Sequence, residues 1–465
     1  MAYIGSTPET QSFTSGTDYF NGNGSSTAFT LSRPVASVND IEVVVSNVVQ
    51  QPSTAYNVSG TTITFTSAPP SGTANVYVRY LSTITQTITP SPGTVDTAQL
   101  SPSLTNVPFF GGSTIGAGNA TGMKNRLING GMVLDQRNAG ASVTITSSAY
   151  TLDRWRCVAS QSSKYSSQQN AGSVTPPVGF KNYLGVTSLS AYTVSSAEQF
   201  AILQRVEGNN VADLGWGTSD AKTVTLSFWV RSSLTGTFGG ALRNDSDTRS
   251  YPYSFTISSA NTWERKTITV AGDTSGTWET GTSTGISVFF GLGVGSTLSG
   301  SAGAWASANY VSATGATSVV GTSGATFYIT GVQLEEGNAA TSFEFRPYGT
   351  ELALCQRYYE KSYNIGVAPG SVTSTGSVYR TLDAGPTSYA SPGPIRFKVN
   401  KRATPSVIVY GTLTGASGTM YITGADRAAV VVFIGETGAG AYIDNISAGT
   451  AGSSIVAHYT ASAEL

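Results

Sequence analysis

Runs in which apolar and polar residues alternate recur along this chain, separated by stretches of Gly, Ser, Asn and Pro. In residues 224–230, VTLSFWV, the alternation puts Val224, Leu226, Phe228 and Val230 on one face, the period of two expected of a half-buried strand. Residues 41–45, 56–58, 61–65 and 76–81 predict strands near the N-terminus, the last with Val76, Val78 and Tyr80 on one face and Tyr77, Arg79 and Leu81 on the other. Ser59-Gly60 and Pro69-Pro70-Ser71-Gly72 predict the turns between them. Further strands are expected at residues 143–145, 255–257, 263–270, 286–290 and 327–330. Ser196-Ala197-Glu198-Gln199 resembles a capping box, but residues 200–206 read better as a strand than as the helix it would start. After Pro347 one helix is predicted over residues 350–362, with Thr350 as N-cap, Glu351 at the positive end, and Leu352, Cys355, Gln356 and Tyr359 at helical spacing. Strands resume at residues 395–399, 407–410, 429–434 and 455–459.

The expected fold is therefore all-β, a modular chain of β-sandwich or jelly-roll domains with one short helix near residues 350–362. An N-terminal β domain would span residues 1–82, a Thr/Ser/Pro/Gly-rich linker 83–124, a jelly-roll-like sandwich 125–349, and the helix with a C-terminal β domain 350–465. Residues 83–122 carry one charge, Asp96, and too little apolar surface to fold alone. Their Phe109-Phe110 pair suits docking onto a neighbouring chain or domain. No long-period repeat is visible, so the modules are distinct.

Composition narrows the function classes. Of 465 residues only 11% are charged, against roughly 25% in an average soluble domain, which excludes a coiled coil. The 25 basic and 26 acidic residues leave a net charge of −1, with no global field to hold nucleic acid or an anionic membrane. Cys157 and Cys355 permit one bridge at most, so no disulfide framework holds the fold. The start, MAYIGSTPETQSF, has no basic stretch followed by an apolar run, and no 18-residue apolar segment occurs, so neither Sec-type export nor membrane insertion is expected.

Flat rings with a hydrogen-bonding edge suit sugar recognition, and the loop aromatics Tyr251, Tyr253, Trp278, Trp305 and Tyr310 are the candidate glycan-binding residues. Trp155, Trp229 and Trp263 sit in or beside strands and are expected in the core. Signals for catalysis are weak. Glu335 and Glu336 are adjacent, but neighbours on a strand point to opposite faces, a poor arrangement for a glycosidase pair. Residues 281–285, GTSTG, match a nucleophile pattern that chance produces in a Gly/Ser/Thr-rich chain, and the sole histidine, His458, would have to be recruited across domains. Asp245 and Asp247 supply too few oxygens for Ca²⁺, one histidine and two distant cysteines make no zinc site, and residues 291–295, GLGVG, read as a loop with no nucleotide implied. No catalytic residue, metal or cofactor is expected, although a Ca²⁺ ion on the Asp245/Asp247 loop would be compatible with the sequence.

Five blocks in order resemble a β-sandwich module of bacteriophage tail fibres. They are NRLINGGM (residues 125–132) with Asp135-Gln136-Arg137 and Asp153-Arg154-Trp155, LSFWVRSS (226–233), TWERKTITV (262–270), FYITGVQLEEG (327–337) and FEFRPYGTELALCQRYYEKS (343–362). The middle strands also resemble, more loosely, jelly-roll carbohydrate-binding modules. Residues 41–81 look like a module near the attachment end of phage fibres, and Phe397-Lys398-Val399, Ala403-Thr404-Pro405 and the closing residues 459–465 are similar to fibre tip modules. The resemblance implies a homotrimer assembled in the host cytoplasm, part of the virion tail, joined to tail, baseplate or adaptor proteins by its N-terminal domain. It further implies a receptor-facing C-terminal portion; the function expected of the chain is to bind host surface polysaccharide or lipopolysaccharide without cutting it. Two alternatives stand beside this: a structural adaptor to a separate receptor-binding protein, and a glycan-cleaving depolymerase fibre, for which long parallel β-helix repeats would speak and none is seen.

Overall fold

The computed structural model describes residues 16–81, 123–382, 389–444 and 452–465. The first residues of the chain, Asp96 and the Phe109-Phe110 pair all lie outside the described residues. The chain divides into two compact units, Met1–Phe110 and Gly111–Leu465. The fold is all-β, with one α-helix among the described residues, and no helix there is long and apolar enough to cross a membrane.

In the first unit the strands Thr17–Gly22, Gly72–Tyr80, Ile41–Val45 and Val48–Val49 form one sheet, and Ala28–Val35 pairs with Tyr56–Phe65 in a second. Val76, Val78 and Tyr80 are buried with Ile41, Val43 and Ile63, as the alternation requires. Ser59-Gly60 is not a turn: Tyr56–Phe65 is one strand, and the left-handed Gly60 (φ +59°) opposite Val35 absorbs a register shift without breaking it.

The second unit opens with two six-stranded antiparallel sheets packed face to face. The first runs Glu264–Val270, Val224–Ser232, Thr326–Glu336, Leu184–Ser188, Tyr165–Gln169, Val143–Thr144. The second runs Ser250–Ile257, Gly236–Arg243, Thr284–Val294, Gln199–Glu207, Trp155–Ala159, Ser148–Leu152. Successive strands pass between the sheets in jelly-roll fashion, and Val224, Leu226, Phe228 and Val230 meet Phe238, Phe255, Ile286, Val288 and Phe290 in one core. Residues 291–294 belong to the long Thr284–Val294 strand rather than to a loop, because the buried Leu292 continues the inward row of Ile286, Val288 and Phe290. Trp155 is buried and donates its indole N–H to the Asn129 carbonyl at 2.9 Å. Trp229 and Trp263 are half-buried instead: the pleat that sends Phe228 inward turns Trp229 outward, and Trp263 lies edge-on to Tyr183 across the outer side of the same sheet.

The helix runs Tyr348–Gln356, so Pro347 rather than Thr350 holds the N-cap position, and Thr350 is the third helical residue. Proline fixes the entry and needs no N–H there. Tyr359 has left the helix for the strand Tyr359–Lys361, which pairs with Ser454–Ser462, the strand on which the C-terminal β module is built. Of the expected strand at 395–399, only Ile395–Arg396 pairs. A small cluster of Ile128, Leu134, Cys355 and Tyr358 seats the helix on the sandwich, and both cysteines are free and buried.

Candidate glycan-binding surfaces

Of the five loop rings, Tyr253 cannot face a ligand. It is 1% exposed, its ring crosses Gly240, and its hydroxyl donates to the Phe289 carbonyl at 2.6 Å. It belongs to an inward-facing strand position, Gly240↔Tyr253, in which the glycine leaves room for the ring. Trp278 and Trp305 are half-buried and interlock with each other and with Trp216, a residue the loop composition did not single out. The three indoles meet nearly edge to face, with centroids 4.7 to 5.4 Å apart, and Tyr251 closes on Trp305 at 5.3 Å. Each indole N–H is spent inside the fold: Trp216 on Lys222 O, Trp278 on Ser275 O, Trp305 on Ala271 O. The hollow beside Trp216 and Trp278 holds about 20 Å³. Tyr310 is separate from this cluster, its ring laid over Gly300.

The loop with Asp245 and Asp247 is organised by Asn244, whose carboxamide accepts from the Thr248 and Arg249 amides and donates to Ser246, Thr248 and Thr277 O. Asp247 pairs with Arg243 at 2.8 Å. Among the described residues no group of three or more His, Cys, Asp or Glu side chains is placed to hold a metal. Glu335 is buried and accepts from Gln333 and Thr341, while Glu336 turns out to Lys222 at 3.2 Å, so the strand does separate the two carboxylates. His458 is buried, and its two ring nitrogens are taken up by residues other than 281–285: Nε2–H donates to Thr373 O, which leaves Nδ1 to accept from the Ser362 hydroxyl at 2.8 Å. That hydroxyl also accepts from the Tyr459 amide at 2.9 Å, and Tyr363 stacks on the ring at 3.7 Å. Burial holds the imidazole below its ordinary pKa, only partly offset by the Thr373 carbonyl.

Two further hollows lie on the outer faces of the two sheets. On the first sheet, Phe180, Phe343 and Phe345 meet at 4.9 to 5.2 Å and line a cavity of about 190 Å³ with Lys181 and Glu344 at its edge. Gly331, left-handed at φ +61°, makes this possible, because a Cβ there would stand 2.6 Å from the Phe180 ring.

On the second sheet an open groove of about 210 Å³ has Val158, Leu203 and Phe289 for its apolar floor. Cross-strand pairing sets Leu203 between Arg156 and Phe289, and in the next row sets Ser287 between Arg205 and Arg243. Three guanidinium groups thus border one groove, with Gln199 and Asn309 beside them and Asp247 as its acid. Arg243 lies over the Phe289 ring at 4.6 Å and donates to Asn309; burial lowers its pKa, Asp247 opposes that, and neighbouring Arg205 adds to it. The signal was present in the sequence as outward positions of alternating strands, but Arg156, Arg205 and Arg243 become neighbours only through the strand order.

No protein-family model matches the sequence, and no curated protein matches it. Among solved structures, the enzymatically active domain of tailspike protein 4 of bacteriophage CBA120 is similar at 12% identity and TM-score 0.26, covering 46% of this chain and 22% of that one. The module TmCBM61, solved with β-1,4-galactotriose, is similar at 11% identity and TM-score 0.24, covering 46% of this chain and all (100%) of that one. The family 11 carbohydrate-binding module of Clostridium thermocellum, solved with a mixed-linked tetrasaccharide, is similar at 12% identity and TM-score 0.22, covering 42% and 98%.

Proposed function

We propose that this chain is a bacteriophage tail-fibre component that holds the virion to the host cell by binding surface glycan, without bond making. The groove on the second sheet carries this reading: it is open, has the half-buried Val158 at its base, and is bordered by hydrogen-bond donors for sugar hydroxyls. The Phe180 cavity and the outer rims of Tyr251, Trp278, Trp305 and Tyr310 are additional contact surfaces in this reading. Weak sites suffice, because several fibres engaging one surface raise avidity by about 10² to 10⁴.

The reading extends to a homotrimer in the virion tail, attached to tail or adaptor proteins by the N-terminal domain. Sparse charge lets identical chains associate without repulsion, and Phe433 and Tyr379 of the C-terminal module, 91% and 71% exposed, offer apolar surface to a neighbouring copy.

The test uses the purified full chain and a panel of bacterial surface polysaccharides, following retention and polymer length together. Retention of a polysaccharide with unchanged length is expected. Shortening of the polymer would replace binding with catalysis, and retention of none would leave the structural-adaptor role. Removal of residues 1–122 should leave retention intact.

A further inference from the structure

We infer that the groove on the second sheet selects an anionic sugar, one bearing a carboxylate or a phosphate; this rests on the glycan-binding reading above. Its border holds three guanidinium groups against one carboxylate, an excess of positive charge on a chain whose net charge is −1. Asp247, with Asp245 near it, offsets Arg243, and the other nearby acids leave Arg156 and Arg205 without a carboxylate partner among the described residues. Glu464 is engaged by Arg137 and Arg154, Glu198 accepts from Tyr192 and Gln161, and Asp247 is held by Arg243.

The donors themselves are left short of acceptors. Arg205 has no side-chain hydrogen bond or ion pair among the described residues, and its Nε is buried. The guanidinium of Arg243 is shared between Asp247 and Asn309, and among the described residues that of Arg156 reaches only the Ser148 hydroxyl, at 2.9 Å. An oxyanion entering the groove gives the guanidinium of Arg205 an acceptor, and the planar guanidinium fork matches carboxylate and phosphate in a two-bond geometry that a hydroxyl does not. Arg205 and Arg243 flank Ser287 from the two adjacent strands, so one oxyanion seated over Ser287 meets both. Strands rather than loops position all three arginines, so the site needs little ordering on binding.

Titration calorimetry on the full chain would use tri-galacturonate, glucose 6-phosphate and the neutral maltotriose. Binding of at least one acidic probe in preference to maltotriose, weakened by salt, is expected, and which of the two binds identifies the acid. Arg205→Gln should weaken that binding about tenfold or more, the weight of a charge-assisted hydrogen bond, with an unchanged melting temperature because Arg205 holds nothing in the fold. Arg205→Lys, which keeps the charge but not the fork, should recover it only in part. Equal affinity for maltotriose and the acidic probes, indifferent to Arg205→Gln, overturns the selectivity and leaves glycan binding standing. Failure of both acidic probes also overturns it, and the polysaccharide panel then judges glycan binding separately.

Discussion

The guanidinium of Arg154 and the carboxylate of Glu464, 310 residues apart, form a buried ion pair that ties the C-terminal end of the chain to the sandwich. Burial alone would depress the Arg154 pKa, and Glu464 beside it reverses the direction. The same guanidinium stacks on Tyr358 at 3.5 Å and donates to the carbonyl of Arg205, so the tail of the chain braces a strand of the groove. Glu464 also accepts from Arg137 at 2.7 Å.

Replacing one member of such a pair leaves the other charged and buried. Glu464→Gln is expected to lower stability by about 3 kcal/mol. Urea unfolding of the variant checks this; a loss of a few tenths of a kcal/mol would mean that solvent already shares the pair.

His458 gives the C-terminal module a dependence on acid. Its folded pKa lies below the ordinary 6.5, so the unfolded chain binds the proton more readily. The stability contributed by the neutral ring is complete above about pH 6.5 and declines as pH falls below it, by at most about 1.4 kcal/mol per unit. Unfolding midpoints measured from pH 7.5 down to 5 should therefore slope less steeply in His458→Asn than in the wild type. Parallel slopes would contradict the assignment.

Tyr253 and Gly240 are expected to act on stability and not on ligand. Tyr253→Phe removes the hydroxyl from the Phe289 carbonyl and should cost about 1 kcal/mol. Gly240→Ala puts a Cβ 2.0 Å from that carbonyl and 2.5 Å from the Tyr253 ring, so it should cost about 2 kcal/mol or more. Thermal melts read both; a binding defect in a Tyr253→Phe protein of unchanged stability would return this ring to the site.

Trp216 is the ring against which both loop tryptophans lean. Trp216→Ala should cost about 3 kcal/mol and release the loops that carry Trp278 and Trp305, seen as faster amide exchange there. Trp278→Ala, at the half-exposed edge, should cost less. Equal effects would indicate that the cluster does not hold together as one unit.

The all-β class, most strands and the inward rows were legible in the sequence because a two-residue period is a local property: Val224 to Val230 and Val76 to Tyr80 declare their faces without reference to any partner. The limits of the helix and the continuity of the Tyr56–Phe65 strand were less so, since pairing and packing override local turn and cap preferences. Which aromatic rings are open was beyond the sequence. Tyr251 and Tyr253 share one face of the same strand and differ in their partners, Tyr253 filling the space over Gly240 in the core and Tyr251 lying at the strand's end against Trp305, and the burial of Trp278 and Trp305 depends on Trp216, more than 60 positions away. The arginine groove was beyond it for the same reason, since register across the strands of Arg156, Arg205 and Arg243 is a long-range property. The chain's own alternation determined that there would be sheets with one apolar face; only the tertiary order of those strands decided which polar residues would share the other.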